Sequence, residues 1–374
     1  MDGIVADVAI IGGGIAGLSL AAALAPDRRV VVLEAEARTA HHTSSRSARQ
    51  MQPSYGPPEI RAITAASLPL VGDFERAMGR SILRPRPLLW AGSAGHEADV
   101  EKLLLDIPGL REASCAEAFR RLPVLRRDEI TAAAFDDGAQ EVDVDALLAY
   151  YARVATDSGA AIATRARVAG VTRVGESWEV VTEALTVVAP VVVNAAGAWA
   201  DAVGALFGAR VRSLVPYRRT VVVAASRTPV DPDWPMVTHA SQTCYFRPDG
   251  ENLLASPIED LPAEAHDAEP FTIDVETAIE RVQELTTLEL EPLRAWTGLR
   301  TIAPDGIPVV GWDADCVGYY WLTGQGGYGI QTSAALSELV AADILDRTPN
   351  LPDDAVDAFD RLGPGRAGLV SDAG

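Results

Sequence analysis

At 374 residues, 48% of them hydrophobic and 22% charged, the chain is long enough for two hydrophobic cores and too apolar to be disordered. Its formal net charge of −20 argues against nucleic acid and anionic membrane surfaces as partners, and no apolar run approaches the roughly 18 residues that a membrane span needs. The 3 cysteines (Cys115, Cys244, Cys316) lie far apart without a CxxC pair, which predicts neither a disulfide framework nor a zinc site and fits a reducing cytoplasm. Met1 to Ile11 lacks the basic start of an export signal.

In chain order, VADVAII (Val5 to Ile11) is a continuous apolar run, the pattern of a strand buried on both faces. Three glycines break it, and Ile15 to Ala25 then reads as a tightly packed helix. Val30 to Leu33 is a second buried strand ending in Glu34, which completes a βαβ unit of about 30 residues. His41 to Arg49 is polar and turn-like. Pro57 to Val71 reads as a helix opened by proline. Further expectations are a strand at Arg84 to Ala91, helices at Ala98 to Leu105 and Asp143 to Ala155, and a hairpin within Ala169 to Val188 around Gly175. Pro190 to Asn194 is another buried strand. Strands are expected at Val221 to Ala225, Cys244 to Arg247, Leu253 to Ser256 and Val317 to Thr323, with helices at Asp274 to Leu285 and Ile330 to Asp346. Beyond Pro349 a loose tail is expected.

Gly12-Gly13-Gly14-Ile15-Ala16-Gly17 matches GxGxxG, here with a buried strand before it, a helix after it and Glu34 at the end of the next strand. Gly12 permits the tight turn, Gly14 lets the backbone approach a pyrophosphate, and Gly17 lets helix and sheet pack closely. The helix start offers free N–H groups and partial positive charge to phosphates, and Glu34 can accept hydrogen bonds from ribose hydroxyls. NAD and FAD both satisfy this fingerprint.

Four segments in order carry a resemblance. They are the glycine fingerprint, the Ser44-Ser45-Arg46-Ser47 loop, VVVNAAGAWAD (Val191 to Asp201), and the late glycine loop GQGGYG (Gly324 to Gly329) before a helix. The chain resembles the D-amino acid oxidase superfamily of FAD enzymes from Val8 to about Leu345, and within it looks most like the bacterial D-arginine dehydrogenases. The resemblance implies an α/β architecture: a Rossmann-like FAD-binding domain (1–80, 140–212 and 296–374) and a mixed or antiparallel-sheet substrate domain (81–139 and 213–295). It also implies FAD contacts from Ala35, Ser45, Arg46, Ser47, Ala48, Val168, Ala196 and Gly197. Gly327, Tyr328, Gly329 and Ile330 are implied at the flavin edge, where a helix start favours charge gained on reduction. Some relatives attach flavin through a cysteine just after the stretch matching WTGLR; Thr301, Ile302 and Ala303 stand here instead, so non-covalent FAD is expected.

An amino acid substrate needs a cation for its carboxylate, and arginine can grip one with two charge-assisted hydrogen bonds. Arg300, Arg219 and Tyr245 match carboxylate-binding positions of the resembled family, with Arg218 beside Arg219 an alternative inward residue. Tyr55, ahead of Gly56 and Pro57, matches a tyrosine of a loop covering the site. Where the D-arginine enzymes place an acidic residue, a histidine and a threonine, this chain has Leu88, Gln50 and Gln52. An apolar lining there cannot compensate the desolvation of a cationic side chain. The expected substrate is therefore a D-amino acid with a neutral or apolar side chain rather than D-arginine. No histidine or carboxylate falls in a matched catalytic position. The neutral amine is expected to deliver its α-hydrogen as hydride to flavin N5, with main chain such as Gly327 holding the amine and the imine hydrolysing to keto acid and ammonia. Alternatives are an oxidase of secondary amines such as N-methyl amino acids, a 2-hydroxy acid dehydrogenase, or a flavin-binding subunit without turnover. Oxygen or a quinone could reoxidise the flavin; Lys102, the only lysine, reads as a surface residue, which leans towards a dehydrogenase.

Overall fold

The computed structural model describes residues 3–369. Strands Val8–Ile11, Val30–Leu33 and Val191–Asn194 pair in parallel at the centre of a six-stranded sheet. Ala161–Ala163 and Tyr319–Thr323 extend it in parallel, and Val309–Trp312 closes one edge antiparallel. Alternation decides which side each residue takes. Val8 and Ile10 pack with the helices Ile15–Leu24, Val144–Asp157 and Gly329–Ile344. Ala9 and Ile11 pack the other way, against the meander of Val168–Val174, Ser177–Thr182 and Thr186–Ala189. With both faces covered, the strands must read as unbroken apolar runs.

The second sheet has eight strands, in the order Leu290–Ile302, Val215–Ser226, Asn252–Ser256, Tyr245–Asp249, Met236–His239, Leu88–Ser93, Ile130–Asp136 and Arg111–Ala113. Its pairs are antiparallel except Met236–His239 against Leu88–Ser93. The expected break at residue 296 falls inside the strand Leu290–Ile302, which pairs along its whole length with Val215–Ser226. We propose a division into cofactor and substrate regions whose last break lies past Ile302.

The segment Arg84 to Ala91 is not one strand. Pro85 and Pro87 divide it into Leu83–Pro85, paired with Gln140–Val142, and Leu88–Ser93 in the large sheet. Nor is the tail loose throughout. Asp353–Asp360 is a helix, because Ala355, Ala358 and Leu362 recur at helical spacing and are buried in the core beside the helix Pro58–Met78. Among the described residues no helix is long and apolar enough to cross a membrane.

Candidate active site

The N-terminal glycines form a cradle that side chains would fill. Gly12 has φ +111°, and a Cβ there would come within 2.3 Å of the Ala195 carbonyl oxygen. A Cβ on Gly17 would lie 1.9 Å from the Gly12 oxygen, so helix and strand touch only because Gly17 has no side chain. Gly17 is thus a packing residue and does not line the cleft. At Gly14, the N-cap of the helix Ile15–Leu24, the cleft opens directly onto the helix start. The Glu34 carboxylate accepts from the Gly13 and Glu36 amides, 2.8 Å each, and is held at the cleft edge beside Ala35.

From this cradle one continuous cavity of about 470 Å³ runs to the face of the large sheet. Ile15, Ala16, Arg46, Ser47, Ala48, Val168, Ala196, Gly197, Gly329 and Ile330 line it. Ser45 does not. Its hydroxyl turns back onto the His41 and His42 carbonyls, while Ser44 faces the cleft and accepts from the Ile15 amide at 2.9 Å. Tyr328 is also off the wall; its ring packs behind Tyr55, with centroids 5.2 Å apart. Arg46 is an anchor, with its guanidinium donating to Thr297 O at 2.7 Å and paired with Asp267. The cradle, the exposed helix start and the held carboxylate fit a dinucleotide cofactor at this end.

At the far end, strand register gathers the cations. Tyr217 pairs with Arg300 and Arg219 pairs with Gly298, so the two arginines stand diagonally on one face of the sheet, and both line the cavity. Arg218 points to the opposite face, over the Phe271 ring and 3.6 Å from Asp274. Arg219 pairs with Asp260 at 2.7 Å. Burial, and after it the like charge of Arg300, lower the pKa of Arg219. Arg300 has no carboxylate partner among the described residues; it donates only to the Tyr55 hydroxyl, at 3.4 Å. Its guanidinium lies against Gly327, where a Cβ would come within 2.9 Å of Cζ.

Buried polar atoms without partners mark the ligand space. Tyr245 Oη, Thr301 Oγ1, Gln325 Nε2 and Gln50 Oε1 are all unsatisfied, and all four residues line the cavity. Gln50 donates its Nε2 to Arg86 O, and Gln52 lies on the wall against Met236. Leu88 is off the wall. It is fully buried in the cluster behind Tyr245 and Met236, because its strand lies inside the sheet with both faces covered.

Sequence reasoning missed Met236, Thr238, Thr301, Gln325, Asp260 and Ile258. The first two arrive through the parallel pairing with Leu88–Ser93, which leaves no local signal; Thr301 and Gln325 were legible as neighbours of Arg300 and Gly327. Glu36, His41 and His42 lie close enough to share an ion, but His42 already pairs with Glu36 at 3.2 Å and His41 with Asp267 at 3.3 Å. None of the three cysteines lines the cavity, and Cys244 and Cys316 are buried elsewhere.

A family model described as FAD dependent oxidoreductase matches residues 7–342. Mitochondrial dimethylglycine dehydrogenase of Rattus norvegicus is 27% identical over 92% of this chain and 43% of its own length, so the chain spans less than half of that relative. Glycine oxidase of Geobacillus kaustophilus (strain HTA426) is 26% identical over 91% of this chain and 93% of its own. Among solved structures, L-proline dehydrogenase from P. horikoshii shares the fold with a TM-score of 0.85 at 20% identity, covering 97% of this chain and 98% of that one.

Proposed function

The chain belongs to the FAD dependent oxidoreductase family, whose relatives oxidise amino acids and amines, and on that premise we propose that it oxidises an α-amino acid with one carboxylate and a small neutral or apolar side chain, of the D series, to an imine. The observation that carries this reading is Arg300, a guanidinium without a carboxylate partner among the described residues, in the cavity that also holds the glycine cradle.

The chain's own residues supply grip and orientation. Arg300 receives the carboxylate, and the Tyr245 hydroxyl, buried without a partner, and that of Tyr55 can complete its hydrogen bonds. That grip presents the α-carbon to the cofactor side of the cavity. When bound, FAD supplies the acceptor for the hydride that leaves the α-carbon. The amine needs no strong base in this scheme. Its nitrogen lone pair forms the C=N bond as the hydride departs, and water then releases keto acid and ammonia. Main chain at Gly327, which lies against Arg300 in the same cavity, would hold the amine. FAD is held without a covalent bond, in keeping with a cavity that no cysteine lines.

The likeness to D-arginine dehydrogenases does not extend to a cationic substrate. Among the described residues the carboxylate in ion-pair contact with either arginine is Asp260, and it already pairs with Arg219. A second reading, oxidation of N-methyl amino acids, is favoured by the relatives named for dimethylglycine. Steady-state assays with an artificial electron acceptor across D- and L-amino acids, glycine, N-methylglycine and 2-hydroxy acids separate these readings. The proposal expects keto acid and ammonia, with a neutral D-amino acid turned over fastest. Formaldehyde supports the second reading, and fastest turnover of D-Arg, D-Lys or a 2-hydroxy acid refutes the first.

A further inference from the structure

We propose that Asp260 is a specificity-determining residue, a carboxylate of the protein's own that occupies Arg219 from the solvent side so that the cavity accepts monocarboxylates on Arg300 and discriminates against dicarboxylates. This rests on reading the cavity as an amino acid site, and names which acids that site refuses.

The two arginines lie on one face of the sheet and in one cavity, yet their surroundings differ. Arg219 is deeply placed, its side chain 8% exposed, and it holds Asp260 at 2.7 Å; Arg300 holds no carboxylate among the described residues. Left to itself, such a pair would present two positive charges to a ligand and would suit a molecule with two carboxylates. Asp260 changes that count. With it in place Arg219 is engaged, and of the two guanidinium groups Arg300 is the one left for a ligand carboxylate among the described residues.

The position of Asp260 is built. Along residues 215–220 the strand Val215–Ser226 has Leu290–Ile302 on one side and the segment 259–263 on the other. The Arg218 amide donates to Leu261 O and the Ala263 amide to Pro216 O, both at 2.9 Å. Arg219 Nε donates to Glu259 O at 3.2 Å, and the Glu259 side chain accepts from the Thr220 amide. Five residues are thus laid along the strand that carries Arg219, with Asp260 turned onto its guanidinium. The Asp260 side chain is 69% exposed, so water carries most of its solvation and its substitution leaves the core intact. A dicarboxylate must displace an ion pair to reach Arg219; a monocarboxylate need not.

The test is binding of simple acids to the FAD-loaded protein, read from the flavin absorbance and by calorimetry. Acetate is compared with malonate, succinate and glutarate, for the wild type and for Asp260→Asn and Asp260→Ser. Removing the internal carboxylate should tighten at least one dicarboxylate by about 10-fold or more, while acetate changes by less than about 3-fold. Equal changes for acetate and the dicarboxylates, or none, would overturn the proposal. The binding readout is independent of turnover. A wild type that binds acetate but oxidises no amine fails the functional reading alone, and an active wild type whose variants keep the same acid preference fails only this inference. Failure of acetate to bind the wild type at all would overturn both.

Discussion

The guanidinium of Arg300 lies over the backbone of Gly327, so closely that a single methyl group on the glycine would come within 2.9 Å of Cζ. The late glycine loop therefore sets the position of the cation proposed to bind substrate, as well as the start of the helix Gly329–Ile344. Gly327→Ala should displace the guanidinium while leaving the N-terminal cradle untouched. The expected outcome is a KM raised by about 10- to 100-fold, the loss of one or two charge-assisted hydrogen bonds, with flavin content unchanged. Steady-state kinetics beside the flavin-to-protein ratio check this.

Gly17→Ala addresses the other end. The added Cβ would stand 1.9 Å from the Gly12 oxygen, and neither backbone can give way without moving the helix Ile15–Leu24 off its strand. The variant should lose most of its flavin, and its thermal midpoint should fall. Absorbance spectra of purified protein against total protein measure the first effect, and thermal unfolding the second.

Flavin should leave the polypeptide on acid precipitation. No cysteine lines the cavity, and Thr301, Ile302 and Ala303 follow Arg300. The yellow colour should appear in the supernatant, and flavin fluorescence retained on the pellet would contradict the expectation.

His239 ends the strand Met236–His239 that brings Met236 and Thr238 to the cavity. Its ring is bonded to Ser93 and Ser241 and faces His96, and burial, with the like charge of His96 second, lowers its pKa below 6.5. Above pH 6.5 the ring is neutral in both folded and unfolded chains and contributes no pH dependence. As pH falls below that value the unfolded chain takes the proton first, so stability is lost between 6.5 and the lower folded pKa. Thermal midpoints between about pH 8 and pH 5 should fall less steeply in His239→Gln than in the wild type, since His is the side chain that titrates in that window. Parallel profiles would contradict this.

What could be read in the sequence followed the range of the forces involved. The cradle was legible because its constraint is local: Gly12 and Gly17 sit five residues apart and touch. The central strands were legible because Val8–Ile11 is buried at every position and Val192 and Val193 are buried on opposite faces of the sheet, which calls for apolar runs. The strand Leu290–Ile302 was not, because its first half is exposed and carries Glu291, Pro292 and Arg294; partners in Val215–Ser226 make it a strand, not its own pattern. Arg219 and Arg218 could not be told apart until register assigned each to a face. The resemblance implies a pocket position for Leu88, yet Leu88 lies one layer behind the wall. Asp260 escaped notice because an acidic residue in an acidic chain carries no signal until its partner is known.

The central claim is that Arg300 receives the substrate carboxylate within reach of the flavin. The most direct test is anaerobic bleaching of the FAD-loaded protein by amines that differ only in that group, glycine against methylamine and N-methylglycine against dimethylamine, beside a neutral D-amino acid. The account predicts that only acids bleach the wild type, and that Arg300→Ala slows them by about 100-fold or more at limiting concentration, the loss of two charge-assisted hydrogen bonds. Bleaching by the amines lacking a carboxylate at comparable rates, or an Arg300→Ala variant as fast as the wild type, would contradict it.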